Sequence, residues 1–403
     1  MALIPVDEAL ARVLDGARGL PSEDVPVVEA HGRVLTRDLR ALRTQPPASV
    51  SAMDGYAVRA ADIAQTPARL TVIGEVPAGR AYEGSVGAMQ AVRILTGGVV
   101  PAGADTIAIQ ENTRRDGEHV TVDVTAPAGR HIRPAGLDFR EGDLRLAAGR
   151  RLTLRDIALA AAMNHAHVPV HRRPRVAVIS TGDELVPAGT TPGPAQIVSS
   201  NGFCLVAMAR AEGADARDFG IVPDKLEATI AAIRAARDWG ADILLTAGGA
   251  SVGDYDLVQD ALRAEGLDLS FWKVALRPGK PLMHGRLGAM NVIGVPGNPV
   301  SSFVCGFLFM VPLIRALCGR RDVRRVPTPA RLGRDLPAND ERQDYLRATL
   351  AVGQDGEPVA TPLAAQDSSM MSALASADCL VIRPPHAPAA KTGETCAIFA
   401  LGV

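Results

Sequence analysis

Four short loops hold most of the residues able to do chemistry, and each follows a short apolar run. T-G-D-E at 181–184 follows residues 175–180, and P-D at 223–224 follows residues 218–222. G-G-A-S-V-G-D-Y-D at 248–256 follows residues 242–246, and P-G-N-P at 296–299 follows residues 291–295. Gly182, Gly248, Gly249, Gly253 and Gly297 let backbone N–H groups approach phosphate oxygens, with Thr181, Ser251 and Asn298 beside them. Pro296 and Pro299 shape the last loop. The carboxylates Asp183, Glu184, Asp224, Asp254 and Asp256 suit a hard divalent cation, most simply Mg²⁺, which takes one or two carboxylates plus substrate phosphate. Glycine cradles invite an anion that the acids repel. A metal-bridged phosphate or oxyanion reconciles the two. The alternative reading is that Asp183 and Asp254 only cap turns or helices, as Asp favours.

A second stretch, F-W-K-V-A-L-R-P-G-K-P at 271–281, adds cations. If it is extended, Lys273, Ala275 and Arg277 share one face, and Pro278-Gly279 turns the chain to present Lys280. Three cations beside acidic loops fit a polyanionic ligand; the alternative is an exposed basic edge strand. His165, His167 and His171 alternate with Ala166, Val168 and Val170, which places them on one exposed strand face rather than on a metal. G-x-x-x-x-G-K-[ST] and H-E-x-x-H motifs are absent from the sequence. Without a nucleophile beside a base, catalysis would rest on a metal ion and positioning.

The elements that must position these loops follow from hydrophobic period. Runs at 175–180, 218–222, 242–246 and 291–295 alternate with helical patterns at 201–211 and 225–239, which implies a mostly parallel sheet covered by helices. Ligands of such sheets bind outside the carboxyl ends of the strands, where the four loops lie. Upstream, Val6, Ala9, Leu10, Val13 and Leu14 mark a helix. From about Met53 to Asp143, short β-type runs alternate with turn signals, as in an inserted all-β domain. Thr153 then reads as an N-cap with Asp156 three residues on, and its helix is expected to pack back on the first one. After Arg325, strands at 345–350, 379–382 and 396–401 form a further β-rich domain. The expected division is 1–46 with 143–173, 47–142, 174–324 and 325–403.

The chain has 403 residues, more than one ordinary domain holds. Apolar residues make up 47%, so the cores can be sizeable, while only 3% are aromatic, so Val, Leu, Ile and Ala must fill them. With 43 basic and 44 acidic residues the charge is balanced, which gives no footprint for nucleic acid. Arg320, Arg321, Arg324 and Arg325 read as a solvated linker. Five scattered cysteines without a C-x-x-C pair argue against a disulfide scaffold or thiolate metal site. No signal peptide is evident, nor an uninterrupted apolar run of the roughly 18 residues a membrane span needs, so a cytoplasmic protein is expected.

Six motifs then stand in one order: S-A-M-D-G-Y-A-V (51–58), R-I-L-T-G (93–97), S-T-G-D-E-L (180–185), G-G-A-S-V-G-D-Y-D (248–256), R-P-G-K-P (277–281) and P-G-N-P-V-S (296–301). In these the chain closely resembles the molybdopterin molybdenumtransferases, the family that includes the C-terminal region of gephyrin. The resemblance covers nearly the whole chain. It implies a multidomain α/β plus β fold: an elongated discontinuous domain, an inserted all-β domain, a three-layer α/β molybdopterin-binding domain and a C-terminal β-barrel. It implies a homodimer, with each cleft lined by the α/β domain of one subunit and the inserted domain of the other. The implied substrates are molybdate and adenylylated molybdopterin, the products molybdenum cofactor and AMP, and the cofactor Mg²⁺. Carried over by motif, Asp54, Thr96 and Asp138 join Glu184, Asp224 and Asp256 as catalytic residues, with Glu184 and Asp256 on the metal. Lys273, Arg277 and Lys280 would hold phosphate or molybdate. Gln366-Asp-Ser368 resembles a Gln-Gly-Ser turn of the family, which implies Ser368 in the binding set, although Asp367 stands in place of the family's Gly. Implied partners are the molybdopterin adenylyltransferase and cofactor-receiving enzymes. The alternative functions are that adenylyltransferase activity itself, or a non-catalytic scaffold with this fold.

Overall fold

The structure is a computed structural model that describes residues 3–77, 79–248 and 257–402. The chain forms two compact units, one of Met1–Glu23, Gly32–Thr36 and Val170–Val403, the other of Asp24–His31 and Arg37–Pro169.

In the first unit, the α/β part runs β1 (Arg175–Thr181), α1 (Asn201–Ala211), β2 (Asp215–Val222), α2 (Leu226–Asp238), β3 (Ile243–Ala247), α3 (Leu257–Ala264), β4 (Asp268–Trp272), β5 (Met283–Leu287) and β6 (Met290–Val295). A long helix, α4, follows over Pro299–Leu317. The sheet order is β2-β1-β3-β6-β5-β4. The first four strands of that order are mutually parallel, and β5 and β4 close the edge antiparallel. Parallel strands need apolar residues on both faces, and β1 supplies them. Val176 and Val178 join the cluster of α1 and α4, while Ala177 and Ile179 join that of α2 and α3. Helix α4 is long and apolar enough to cross a bilayer, but 89% of its apolar window is buried inside the protein, so it is accounted for as a core helix.

Register sets the level at which the strands end. Thr181 pairs with Val222, Ser180 with Ala247, and Ala247 with Val295. The carboxyl ends of β2, β1, β3 and β6 are therefore flush. The chain leaves β1 toward β2 and returns past it to β3, so the sheet switches direction between β1 and β3, where a crevice must open.

The C-terminal part holds β7 (Thr328–Leu332), β8 (Gln343–Val352), β9 (Pro358–Pro362), β10 (Cys379–Arg383) and β11 (Thr395–Ala400). These close a five-stranded barrel in the order β8-β9-β7-β11-β10, with β10 pairing β8 again. Its small core residues, Ala330, Ala348 and Ala360 with Val381 and Ile398, suit a narrow barrel. Leu276–Arg277 adds parallel to β8.

The second unit is built on a six-stranded sheet containing Gly55–Val58, Ala68–Val76 and Gln90–Ile94, with separate apolar clusters on its two faces. Its helix Leu154–Ala162 carries the expected capping box: Thr153 Oγ1 accepts from the Asp156 N–H, and the Asp156 carboxylate accepts from the Thr153 N–H.

Three expectations are corrected. The buried side of the helix Val6–Leu14 joins the α/β core through Val6, Ala9 and Val13, whereas the 154–162 helix packs on the turn Val27–Glu29. The arginine segment is not simply solvated. Arg320 is buried, and with Arg315 and Arg325 it surrounds the Glu212 carboxylate at 2.7–3.1 Å. The histidines do not share one exposed face. His165 precedes the strand and bonds the Arg40 carbonyl at 2.9 Å, His167 is exposed, and His171 is half-buried with Nδ1 2.6 Å from the Leu20 carbonyl.

Candidate functional site

Above the flush strand ends lies a cavity of about 900 Å³. β1 contributes Ser180, Thr181, Gly182 and Glu184, β2 contributes Asp224, and β3 contributes Ala247 and Gly248. The whole P-G-N-P loop after β6, Pro296 to Pro299, forms another wall. The expected meeting of strand ends therefore holds for every described loop. Gly249, Ser251, Gly253, Asp254 and Asp256 lie outside the described residues.

Helices reach the same cavity by their N-termini. Ser200 and Asn201 open α1, and Asn298 and Pro299 open α4; Leu257 of α3 lines the cavity as well. Free N–H groups and the helix dipole make such starts favourable for anions. Ser180 and Thr181 line the cavity, and their buried hydroxyls find no hydrogen-bond partner among the described residues. A buried hydroxyl left unpaired costs about 1–3 kcal/mol, which a bound ligand would relieve.

The acids differ in disposition. Glu184 and Asp224 face the cavity. Asp183 does not line it. Its carboxylate accepts from the Asp224 N–H at 3.1 Å while its own N–H donates to Asp224 Oδ2 at 3.4 Å, tying the β1 and β2 loops together. For Asp183 the turn-capping alternative describes the geometry.

The cations are placed apart from this wall. Residues 273–277 do not form one extended strand face. Lys273 has φ 78° and sets its ammonium over the Trp272 ring, 4.7 Å from the centroid. Arg277 donates to Asp340 and Asn339 at 2.9 Å each, and to Asp344. It lines a separate cavity of about 440 Å³ with Arg334 and Arg383. Lys280 is exposed, next to Pro281, which does line the main cavity. Among the described residues lining that cavity there is no Lys or Arg.

Barrel residues also reach the site. Ser369 lines the cavity, and its N–H and hydroxyl both donate to Asp367 Oδ1, at 2.8 and 2.6 Å. Ser368 turns the other way: its Oγ accepts from Asn298 Nδ2 at 3.0 Å and its carbonyl accepts from the Val300 N–H at 3.1 Å. Sequence reasoning missed Ser199, Ser200, Asn201 and Ser369. Helix starts with Ser and Asn are a readable signal for the first three, whereas nothing local distinguishes Ser369 from Ser368.

In the second unit, Asp54 Oδ1 accepts from both the N–H and the hydroxyl of Thr96, each at 2.7 Å. The Thr96 hydroxyl, foremost, holds the Asp54 carboxyl below the ordinary carboxylate range. Arg93 lies over the Tyr56 ring at 5.3 Å. Asp138 is exposed, its carbonyl accepting from Arg145 at 2.8 Å.

Comparison with known proteins gives these features a family. Residues 4–164 match the model of the MoeA N-terminal region (domain I and II), residues 177–316 that of a probable molybdopterin binding domain, and residues 329–401 that of the MoeA C-terminal region (domain IV). A molybdopterin molybdenumtransferase of Bacillus subtilis is 33% identical over 98% of this chain and 94% of its own. One from a Nostoc species is 37% identical over 82% of this chain and 77% of its own. Two structures of the molybdopterin biosynthesis MoeA protein from Pyrococcus horikoshii superpose with TM-scores of 0.85 and 0.80 at 30% and 28% identity, covering 100% and 99% of this chain and all of theirs. With matched models spread from residue 4 to residue 401 and relatives aligned end to end, the chain belongs to the molybdopterin molybdenumtransferase (MoeA) family.

Proposed function

We propose that this protein inserts molybdenum into adenylylated molybdopterin, releasing molybdenum cofactor and AMP. The observation that carries the reading is the convergence of four strand ends and two helix N-termini on one cavity of about 900 Å³, in a chain whose relatives of matching length carry that activity in their name. Such a volume accommodates a nucleotide-sized ligand. The N–H groups at the start of α1 bind phosphate oxygens, with Ser180 and Thr181 on the adjoining wall. Gly182, Gly248 and Gly297 bring backbone close to the ligand, and Pro296 and Pro299 hold the last loop in shape.

The residues present fit Mg²⁺. Glu184 and Asp224, both lining the cavity, offer carboxylate oxygens of the kind a hard cation takes. Asp256 completes that set in this reading. When bound, the cation would neutralise charge on the phosphoanhydride. The protein's own part is to hold the anhydride in place and to exclude water. Lys280, exposed beside the cavity-lining Pro281, offsets the molybdate charge when it folds in. Asp54, kept ionised by Thr96, and Asp138 act from the inserted domain. The reading also carries the four-part division of the chain, a homodimer, a cytoplasmic location and transient contact with the enzymes that supply and receive the pterin.

Purified protein with adenylylated molybdopterin, Mg²⁺ and molybdate should release AMP in proportion to molybdate added. ATP-dependent adenylylation of free molybdopterin without that release would assign the adenylyltransferase activity instead, and no turnover of either substrate would leave a scaffold. The dimer is checked by the mass in solution.

A further inference from the structure

The P-G-N-P loop is held from both sides. On one side Asn201, the first residue of α1, donates its Nδ2 to the Gly297 carbonyl at 2.8 Å. On the other, Asn298 Nδ2 donates to Ser368 Oγ at 3.0 Å, and the Val300 N–H donates to the Ser368 carbonyl at 3.1 Å. The Val300 N–H is one of the free donors at the start of α4, so a barrel carbonyl occupies a position that a ligand would otherwise take. The barrel turn is itself fixed. Gln366 exchanges hydrogen bonds with the Arg347 backbone, its Oε1 accepting at 3.0 Å and its Nε2 donating at 2.9 Å. Arg347 donates to the Asp367 carbonyl at 3.0 Å, and Asp367 Oδ1 accepts from Ser369. Arg347 is 1% exposed, so the anchor is deep in the protein.

We propose that the 366–369 turn of the barrel is a latch on the P-G-N-P loop, and that Ser368, Asn298 and Asn201 are positioning residues that set the cavity wall by holding that loop. The inference rests on the reading of the cavity as the molybdenum-insertion site. It gives the C-terminal barrel a defined task there: the wall formed after β6 keeps its catalytic position only while the barrel turn is docked. The hydroxyl of Ser368 is spent on Asn298, and the amide of Asn201 on Gly297. Both are engaged in these bonds, as the Ser369 hydroxyl is on Asp367.

The test is a double-mutant cycle read by molybdate-dependent AMP release, by thermal unfolding and by hydrogen exchange at the Val300 amide. Ser368→Ala and Asn298→Ala each remove one end of the same bond. Each should lower kcat about tenfold, with the KM for molybdate little changed, because a loosened wall misplaces bound substrate rather than losing a contact to it. The double variant should be no worse than either single one, since both remove one interaction. Ser368→Thr, which keeps the hydroxyl, should recover most of the rate. Exchange at Val300 should quicken in both single variants while the unfolding temperature stays near wild type. Additive losses, or a raised molybdate KM in Ser368→Ala alone, would make Ser368 a binding residue and overturn the latch. Unchanged exchange at Val300 would overturn it as well. A wild-type protein without AMP release would refute the proposed function, while the exchange measurement would still report on the latch.

Discussion

Gly248→Ala is the sharpest test of the converging strand ends. Gly248 follows β3 directly, with φ +105°, a conformation that residues with side chains rarely adopt. Holding such a residue there costs about 1–3 kcal/mol. A Cβ at this position would stand 2.5 Å from the Thr181 carbonyl oxygen and 2.9 Å from Thr181 Oγ1. Ordinary contact needs about 3.5 Å, so one strand end must move by about 1 Å. The obstacle is backbone at the end of β1, not a flexible side chain, so overpacking adds about 1–3 kcal/mol more. The sum, about 2–6 kcal/mol, is a large share of the roughly 5–15 kcal/mol that holds a domain folded. A 1 Å displacement between the β1 and β3 loops should also cost about 10²-fold in rate. Urea unfolding and molybdate-dependent AMP release measure the two effects separately. Gly297→Ala is the stability control, because among the described residues its Cβ would meet nothing closer than the Gly248 Cα at 3.8 Å, and its unfolding midpoint should stay near wild type. Were Gly248→Ala to keep the wild-type midpoint and turn over at a comparable rate, the close approach of β1 and β3 as the frame of the site would be refuted.

Glu212→Gln should destabilise the protein by about 3–5 kcal/mol, because it leaves three guanidinium groups facing one another without their shared counter-charge; Arg315 and Arg320 approach that carboxylate at 2.7 and 2.8 Å and are themselves buried. An unchanged urea midpoint would remove this cluster from the forces fixing the segment after α4. His284 is 1% exposed on β5, and burial lowers it to about 4. The unfolded chain, with an ordinary histidine near 6.5, therefore binds the proton first. Its contribution, about 3 kcal/mol, is complete above about pH 6.5 and is lost as pH falls toward 4. His284→Gln should flatten that part of the stability profile in urea titrations, and a variant as acid-sensitive as the wild type would count against a neutral buried imidazole.

The sequence carried the site's frame because that information is local. Residues 175–180 and 242–246 announce strands by apolar runs, and the glycines and acids after them announce loops; β1 and β3 end within a residue or two of the expected points. Thr153 and Asp156 likewise declare a helix start three residues apart. What could not be read is who meets whom across the chain. Arg277 finds Asp340 and Asp344, more than sixty residues on, so its charge is largely met before any ligand arrives. Arg320 finds Glu212 in the turn after α1, which turns an apparent linker into a buried ion cluster. Lys273 leaves the extended conformation altogether. Of two adjacent serines, Ser369 faces the cavity and Ser368 the P-G-N-P loop, a choice made by docking of the barrel turn and invisible in the residue types.

These misplacements change the electrostatic account of the cavity. A polyanion was expected to meet three cations, yet the described wall carries Glu184 and Asp224 and no basic side chain. Two carboxylates facing a phosphoanhydride would repel it at contact distance, and helix starts offset only about half a charge each. The reactant can therefore settle there only if a cation sits between it and the acids, or if a lysine such as the exposed Lys280 folds in. The two differ in range. A bridging cation acts by direct coordination and is insensitive to moderate salt, whereas an exposed lysine is screened within about 10 Å at 0.1 M salt. If binding of adenylylated molybdopterin needs a divalent ion and barely responds to added salt, the carboxylates are serving as ligands. If it weakens steeply with salt and ignores chelators, the cationic side chain carries the load and the acids are bystanders.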